Sequence, residues 1–233
     1  ELSALADWSI VYQRPAGIYY ASRALPAPRL LAADGRYPRW SPDGKTIAFI
    51  RENQIVILNL AERQQRDLFL AKAPRAVAFH PNGQEVLFID GRIIKAVTIS
   101  SKSLRTVVEG WDFRELDCAQ QGQRLAATVK RFGFSIRAFE PEGMHGRIIA
   151  SGCSASLSPD GRLVTNNSSD HKTLFLRDWT TGEVRRAIAA PGGWLLDNQF
   201  WSNTEDWIAA RSEESDQGGS ILACQVSTGR TFQ

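Results

Sequence analysis

Three arginines recur at a fixed interval in the sequence: Arg36, Arg75 and Arg114 follow one another at steps of thirty-nine residues. Arginine binds carboxylates through two parallel hydrogen bonds and stacks on aromatic rings. Together with Trp and Tyr it is enriched among the residues that dominate binding energy at protein interfaces. The fourth position of the series holds Cys153. The repeated arginines therefore predict a surface that recognises an acidic partner, either a protein or peptide or a uronic-type sugar.

Further basic and aromatic residues lie close to this series, and Arg92 and Arg131 are again thirty-nine residues apart. We predict that these residues gather at the mouth of a central channel as one partner-binding surface, whose members are Arg36, Arg75, Arg114, Arg51, Arg92, Arg131, Tyr37, Trp111 and Trp194. His171, Lys172 and Phe132 belong to the same segments. The alternative is that the repeat has only kept arginines that pair with nearby acidic residues, namely Asp34, Glu52, Asp90 and Asp112.

The sequence offers little that indicates catalysis or metal binding. His80 replaces the serine of a repeated turn, His145 lies in a glycine-containing turn, and His171 follows Asp170 in a loop. General acid–base catalysis needs a positioned partner, and a metal site needs several convergent ligands. The motifs of serine hydrolases, zinc peptidases, P-loop proteins and dinucleotide-binding proteins are absent. We therefore predict no catalytic residue, no metal ligand and no cofactor. The alternative function is an enzyme or accessory domain that acts on an acidic polysaccharide or peptide, with His171 and Asp170 as its only candidates.

The arginines are positioned by a repeat of thirty-nine residues. Its best-preserved copies contain Ser-Pro-Asp-Gly at residues 41–44 and 158–161, and the turn glycine recurs at Gly44, Gly83, Gly122 and Gly161. A degenerate fifth copy around Trp201 is displaced by a few residues, and a partial copy occupies residues 8–12. Proline fixes φ at the first central position of such a turn, and glycine accepts a positive φ at its end. Each copy therefore predicts a tight turn between two strands.

Strand patterns complete each copy of the repeat. Apolar residues alternate after the turn, as at Ile47 and Phe49, and two further strand-like segments follow before the next copy. Four strands per thirty-nine residues, repeated about six times, predict an all-β, six-bladed β-propeller of four-stranded antiparallel blades. We expect the first blade to lack its innermost strand, residues 231–233 to form a fourth strand, and strands from both termini to close the ring. Residues 1–233 then form one propeller domain, and the sequence leaves open whether it belongs to a longer chain.

The stretch Trp-Ser-Pro-Asp-Gly-Lys-x-Ile-Ala-Phe at residues 40–49 resembles the repeat signature of TolB-like propellers, a WD-repeat-like family of bacterial proteins. The similarity is strong in the copies at Trp40 and Leu157, weaker in the others, and extends over nearly the whole chain. The resemblance implies a six-bladed propeller that is exported to the periplasm and serves as a protein-binding platform. Similar repeats also occur in accessory propellers of peptidases and in polysaccharide lyases, so the resemblance identifies a fold and leaves the function open.

Composition excludes several classes of protein. The 233 residues are 43% hydrophobic and include seven Trp, which excludes an intrinsically disordered chain. No apolar run approaches the roughly 20 residues of a membrane-spanning helix. The 28 basic residues are nearly balanced by 25 acidic ones, which argues against a nucleic-acid partner. The three cysteines are too widely spaced for a disulfide framework or a zinc motif, and we expect buried thiols. We predict a monomer that is exported, with the cytoplasm as the alternative location.

Overall fold

The computed structural model describes residues 8–140, 146–214 and 218–232, so His145 lies outside the described residues. The chain forms two compact units, Leu2–Gly110 and Trp111–Gln233, which we call the N-terminal unit and the C-terminal unit. Each unit holds three antiparallel sheets whose strands follow one another in chain order. A 3-10 turn at Pro191–Gly193 is the only helical segment of the described residues, and none of them forms an apolar helix of bilayer-spanning length. The predicted all-β fold of a six-bladed β-propeller is confirmed.

The N-terminal unit contains one three-stranded sheet and two four-stranded sheets. The described strands of the first sheet are β1 (Ser9–Arg14), β2 (Gly17–Ser22) and β3 (Arg29–Ala33). The second sheet consists of β4 (Gly35–Trp40), β5 (Thr46–Arg51), β6 (Gln54–Asn59) and β7 (Gln64–Leu70). The third consists of β8 (Pro74–Phe79), β9 (Glu85–Asp90), β10 (Ile93–Thr98) and β11 (Leu104–Glu109). The strand that would precede the partial repeat falls before residue 8, outside the described residues.

The C-terminal unit contains three four-stranded sheets. Its first sheet consists of β12 (Asp112–Cys118), β13 (Leu125–Lys130), β14 (Phe134–Phe139) and β15 (Arg147–Ser151). The next consists of β16 (Ser156–Leu157), β17 (Leu163–Asn167), β18 (Thr173–Asp178) and β19 (Val184–Ala189). The last consists of β20 (Leu195–Trp201), β21 (Trp207–Glu214), β22 (Gly218–Gln225) and β23 (Thr231–Phe232).

The repeated turns have the hydrogen bonds that their residues predict. The Ser41 hydroxyl donates to Asp43 Oδ1 at 2.6 Å, and the Gly44 N–H donates to the Ser41 carbonyl at 2.9 Å. The bond from Ser41 is the main reason why the pKa of Asp43 is lowered. His80 takes the place of the serine in the third sheet, where its Nδ1 accepts a bond of 3.3 Å from the Asn82 N–H. The turn role predicted for His80 is therefore confirmed.

The core of each unit lies between successive sheets. In the N-terminal unit, Ile18 of the first sheet packs with Phe49 of the second, and Ile57 of the second packs with Phe88 of the third. In the C-terminal unit, apolar clusters likewise join the first sheet to the second and the second to the third. Alternating strand positions supply these side chains, because every other residue of a strand faces the same side of its sheet.

The last sheet contains the fourth strand that the sequence predicts at the C-terminus, and the expected closure by strands from both termini also involves residues 1–7, which lie outside the described residues. Residues 231 and 232 do form its fourth strand, in which Thr231 pairs with Cys224 and Phe232 with Ala223. The strands β20 to β23 already make up this sheet, and β1 pairs with β2 in a sheet of its own. Among the described strands, no sheet therefore combines strands from both termini.

Candidate functional site

In the second sheet of the N-terminal unit, β4 begins beside the loop between β5 and β6. Gly35 pairs with Arg51 at this end, and Arg36 Nη2 donates a hydrogen bond of 2.7 Å to the backbone oxygen of Glu52. The Arg36 guanidinium lies 6.0 Å from the centre of the Tyr37 ring, which is 43% exposed. Arg36, Tyr37 and Arg51 are thus brought to one end of this sheet.

The third sheet repeats this arrangement. Arg75 lies on β8, and Arg92 lies in the loop between β9 and β10. Pro74 pairs with Asp90, so both arginines are at the same end of the sheet. Arg92 Nη2 donates a hydrogen bond of 2.8 Å to the backbone oxygen of Gly110. The N-terminal unit therefore carries four of the arginines in two equivalent places.

The arginines of the N-terminal unit differ in how their charge is balanced. Arg51 forms an ion pair of 3.0 Å with Asp67. Arg36 and Arg92 bind backbone carbonyls, and neither forms an ion pair with a carboxylate of the described residues. Asp90 is paired with Lys95 at 2.6 Å. Pairing with neighbouring acidic residues, as in the alternative interpretation, therefore does not account for Arg36 and Arg92.

In the C-terminal unit, the predicted basic residues have closer partners. Arg114 forms an ion pair of 2.6 Å with Asp112, as the alternative interpretation predicts. Asp112 pairs with Lys130 across β12 and β13, which places the next residue, Arg131, at the same end of the sheet. The Arg131 guanidinium lies 5.6 Å from the centre of the Phe132 ring, and Phe132 is 98% exposed. This end of the sheet therefore presents an aromatic ring to solvent.

The two tryptophans predicted for the binding surface have structural contacts. The Trp111 ring lies under the Arg137 guanidinium, with 3.8 Å between the guanidinium carbon and the ring centre. Trp194 is partly buried and packs against the apolar cluster of the last two sheets. Burial of the Arg137 guanidinium is the main reason why its pKa is lowered. Part of each tryptophan is therefore used in holding the unit together.

In the C-terminal unit, the position one residue after each member of the arginine series holds a polar side chain, and these side chains are joined by hydrogen bonds. Glu115 lies on β12, Ser154 precedes β16, and Asp197 lies on β20. The Ser154 N–H donates to Glu115 Oε2 at 2.6 Å, and the Ser154 hydroxyl donates to Asp197 Oδ1 at 2.5 Å. The Thr128 hydroxyl also donates to Glu115 Oε2. Side chains from three consecutive sheets are therefore linked through one serine.

The backbone at Ser154 explains why this serine can bond in two directions. Its φ of 60° lies in the left-handed region, which interrupts the strand, so that β16 begins only at Ser156. The Ser154 N–H and hydroxyl are consequently free of strand pairing and bind neighbouring carboxylates. The Ser154 carbonyl accepts a hydrogen bond of 2.5 Å from Gln199 Nε2, which fixes the segment to β20.

His171 lies against this chain of side chains. Its Nε2 is 3.6 Å from Cys153 Sγ, and its Nδ1 is 3.4 Å from Asn167 Nδ2 and 3.8 Å from Asp197 Oδ1. The distance to Asp197 exceeds that of a hydrogen bond and is within the range of an ion pair. The ring therefore has different neighbours at its two nitrogens.

The pairing of His171 with Asp170 that an enzyme was expected to use is not formed. The Asp170 carboxylate accepts a hydrogen bond of 2.6 Å from the Ser168 hydroxyl and another of 3.2 Å from the Lys172 N–H. These bonds lower the pKa of Asp170 and belong to a turn. His171 follows that turn with a φ of 57°, and its side chain lies beside Asp197 instead.

Cys153 is a weak nucleophile in these surroundings. Burial, together with the negative charges of Glu115 and Asp197, raises the pKa of Cys153 to about 11. A thiol reacts as its thiolate, which is a minor species when the pKa is this high. All three cysteines are free thiols, and burial also raises the pKa of Cys118 and of Cys224.

Glu115, Ser154 and Asp197 are not among the site residues that the sequence predicts. The sequence does contain one indication of them, because Glu115 and Ser154 are thirty-nine residues apart and occupy the same position in consecutive repeats. Asp197 follows Ser154 by forty-three residues, since the fifth copy is displaced. Allowing for that displacement would have aligned all three polar residues.

Comparison with known proteins finds similarity in structure only. No protein-family profile matches the chain, and no curated protein matches it in sequence. TolB from Acinetobacter baumannii superposes with a TM-score of 0.76 and 18% identity, over 92% of this chain and 58% of the other. A putative TolB from Agrobacterium tumefaciens gives a TM-score of 0.66 and 17% identity, over 76% of this chain and 68% of the other.

A chain of a nidogen/laminin complex is also similar, with a TM-score of 0.79 and 10% identity over 98% of this chain and 92% of the other. This chain therefore spans 58% of the length of the Acinetobacter protein and nearly the whole length of the chain from the complex. At these identities the similarity is one of fold. The repeat signature and the structural matches agree: the chain has a β-propeller fold that is similar to that of the TolB structures.

Proposed function

We propose that the chain is a non-enzymatic interaction propeller that binds a protein or peptide carrying an acidic patch. The contacts come from what we call the arginine surface. In the N-terminal unit this surface comprises Arg36, Arg51, Arg75, Arg92 and Tyr37. In the C-terminal unit, we assign partner contacts separately to Arg114, Arg131, Trp111 and Trp194.

The observation that carries the proposal is the way Arg36 and Arg92 are held. Each donates from Nη2 to a backbone carbonyl, that of Glu52 or that of Gly110. A carbonyl fixes the guanidinium without neutralising its charge, and an arginine has further donors that can bind a carboxylate. Tyr37, half-exposed beside Arg36, adds an aromatic ring of the kind enriched at binding hot spots.

The fold is compatible with partner binding. The nidogen/laminin structure is that of a complex between proteins, and it contains a chain with the same fold. The TolB-like resemblance of the repeats supports export to the periplasm as part of the proposal. Both arguments concern the fold, so the residues of the arginine surface are supported by their own contacts.

The alternative function, an enzyme or accessory domain acting on an acidic polysaccharide or peptide, has weaker support. Its expected pair, His171 with Asp170, is not formed. The thiol nearest to His171 belongs to Cys153, whose raised pKa makes it a poor nucleophile near neutral pH. The arginine surface could still bind an acidic sugar, and the experiment below separates the two ligands.

Charge reversal tests the proposal. The double variant Arg36→Glu with Arg92→Glu is compared with wild type for binding of a fluorescent oligoglutamate peptide, measured by anisotropy at several salt concentrations. We expect binding by the wild-type chain that weakens with salt, and a loss of at least about tenfold in affinity in the double variant. An oligogalacturonate is the parallel probe for an acidic sugar.

The double variant Arg63→Glu with Lys102→Glu is the matched control. Arg63 is exposed in the turn between β6 and β7, and Lys102 is exposed in the turn between β10 and β11. Both lie at the other ends of the same two sheets, so the control makes the same change of charge away from the arginine surface. Equal peptide affinities of wild type and the variant Arg36→Glu with Arg92→Glu would contradict the proposal. Equal losses of peptide affinity in this variant and in the control would also contradict it. Binding of the oligogalacturonate alone would favour the polysaccharide alternative.

A further inference from the structure

Three side chains with different ligand chemistry converge in the C-terminal unit. Cys153 Sγ, a ring nitrogen of His171 and a carboxylate oxygen of Asp197 all lie within 4.8 Å of one another. No other group of three such residues occurs in the part of the chain that the structure describes. A thiolate, an imidazole and a carboxylate together form a ligand set that suits Zn²⁺.

Backbone hydrogen bonds hold the three ligands in place. The Asn167 N–H donates to the Cys153 carbonyl at 3.1 Å, which joins β17 to the segment before β16. The Leu196 N–H, next to Asp197, donates to the His171 carbonyl at 2.8 Å and so joins β20 to the loop after β17. Each ligand is therefore carried by backbone that is bonded to a neighbouring element, and the site is organised before a metal binds.

A buried amide gives an independent indication of a ligand. Asn167 is fully buried, and its Nδ2 donates a bond of 2.8 Å to the Leu196 carbonyl while lying 3.4 Å from both His171 Nδ1 and Asp197 Oδ1. Its Oδ1 has no hydrogen-bond partner among the described residues. A buried acceptor without a partner destabilises the folded protein, so this amide, whose Nδ2 contacts two of the three ligand side chains, is a buried polar group at the site that is not fully satisfied.

We propose that Cys153, His171 and Asp197 bind Zn²⁺ through Sγ, one ring nitrogen and a carboxylate oxygen, with water as the fourth ligand. The 3.6 Å between Cys153 Sγ and His171 Nε2 matches the separation of about 3.6 Å that tetrahedral geometry gives for ordinary Zn–S and Zn–N bonds. The side chains of His171 and Asp197 are 34% and 40% exposed, so an ion reaches them from solvent. The proposal departs from the prediction of no metal ligand made from the sequence.

The surrounding charges favour a cation at this place. Glu115 is linked to the site through the Ser154 N–H, at 2.6 Å, and adds a second carboxylate beside Asp197. The Ser154 hydroxyl donates to Asp197 Oδ1 and orients this ligand, as partners of metal ligands commonly do. The negative charges of Glu115 and Asp197 both act on the Cys153 thiol, and a bound divalent cation offsets negative charge of this kind.

Metal titration of the full chain tests the proposal. Zn²⁺ binding is measured by calorimetry, and Co²⁺ is used as a coloured substitute whose thiolate bond gives an ultraviolet charge-transfer band. We expect one ion per chain, the thiolate band with Co²⁺, and much weaker binding of Ca²⁺, because a thiolate and an imidazole disfavour hard cations. In each of Cys153→Ser, His171→Gln and Asp197→Asn, we expect affinity for Zn²⁺ to fall at least about tenfold.

Two matched controls separate the ligands from other thiols and carboxylates. The double variant Cys118→Ser with Cys224→Ser removes the other thiols, and Asp170→Asn removes the carboxylate next to His171 in sequence. Both are expected to bind Zn²⁺ like wild type. Absence of stoichiometric Zn²⁺ binding, a Co²⁺ complex without the thiolate band, or equal losses in the controls and the ligand variants would overturn the proposal.

A measurement on the wild-type chain covers the case in which a ligand variant fails to fold. Alkylation of the three thiols by iodoacetamide is followed by mass spectrometry with and without Zn²⁺. We expect Zn²⁺ to slow alkylation of Cys153 at least about tenfold, since a metal-bound thiolate is shielded, and to leave Cys118 unchanged. Equal alkylation of Cys153 with and without Zn²⁺ would overturn the proposal.

Discussion

The two units of the chain use one repeat position for different chemistry. In the N-terminal unit, the residue that follows the repeated arginine is Tyr37 in one sheet and Ala76 in the next. In the C-terminal unit, this position holds Glu115, Ser154 and Asp197, which are joined by hydrogen bonds. The strand geometry is shared, because in both units the position lies where the first strand of a sheet begins beside the loop between the second and third strands.

The difference shows that the repeat determines where a side chain lies and leaves its chemistry to individual residues. Beside Tyr37, Arg36 keeps its charge and is held by a backbone carbonyl. Glu115 and Asp197, in contrast, accept hydrogen bonds from the serine between them and provide negative charge next to a thiol and an imidazole. Our two proposals therefore place a recognition surface and a metal-ligand set on neighbouring positions of one repeat.

Alanine substitution at the compared position is expected to affect the two units unequally. Glu115→Ala leaves the Ser154 N–H and the Thr128 hydroxyl without their acceptor, so the free energy of unfolding should fall by about 1–3 kcal/mol. Tyr37→Ala alters an exposed ring and should change it by less than about 0.5 kcal/mol. Guanidinium denaturation of both variants measures this difference, and equal losses would show that the hydrogen-bonded chain adds no stability.

The turn glycines provide a smaller contrast between the units. Gly44 and Gly161 have φ of 69° and 72°, so alanine at either should cost about 1 kcal/mol of unfolding free energy. A Cβ on Gly161 would also lie 3.0 Å from the Ala119 Cβ and 3.0 Å from the Arg124 Cδ, whereas nothing lies within 4 Å at Gly44. Gly161→Ala should therefore cost roughly 1 kcal/mol more than Gly44→Ala in denaturant titrations. A larger loss in Gly44→Ala would contradict the packing at Gly161.

The smallest effect is expected at a pair of equivalent turns, where the C-terminal unit has an aspartate and the N-terminal unit has an asparagine. Asp178 in the C-terminal unit accepts hydrogen bonds from the Thr180 and Thr181 N–H groups. The bond from Thr181, followed by that from Arg185, lowers the pKa of Asp178 from its ordinary 3.8 to about 2. In the N-terminal unit, Asn59 accepts the corresponding bonds from the Ala61 and Glu62 N–H groups.

A lowered pKa in the folded state means that Asp178 stabilises the fold above pH 3.8 and that this contribution is lost as the pH falls towards 2. Asp178→Asn should flatten the dependence of Tm on pH in this range, and Asn59→Asp should steepen it. Thermal unfolding between pH 2 and about 6 measures both slopes. Unchanged slopes in both variants would show that these turn bonds do not distinguish an acid from an amide.

Much of the fold could be predicted from the sequence, because its determinants are local. The turn at residues 41–44 needs only a serine, a proline, an aspartate and a glycine in order, and the strand after it needs only alternating apolar residues. The fourth strand of the last sheet could be predicted as well, because residues 231–232 continue the strand pattern of the repeat.

The site was only partly predictable. His171 could be singled out by its residue type, and its sequence neighbour Asp170 was the obvious partner. In the structure, Asp170 is engaged by Ser168, and His171 lies beside Asp197 and Cys153. A local turn motif thus occupies the carboxylate that is nearest in sequence. His171 is left to contact Asp197 of the next sheet and Cys153 of the segment before β16.

The thirty-nine-residue period, the glycine turns, the all-β fold and the spacing of the arginines all follow from the amino-acid order, because each depends on residues a few positions apart or on exact repetition. Which polar groups meet depends on the packing of the folded chain. Ser154 reaches both Glu115 and Asp197 because a left-handed backbone interrupts its strand, and Asp197 is in reach although the last repeat is displaced. These contacts join residues about forty positions apart, so their geometry depends on how consecutive sheets pack.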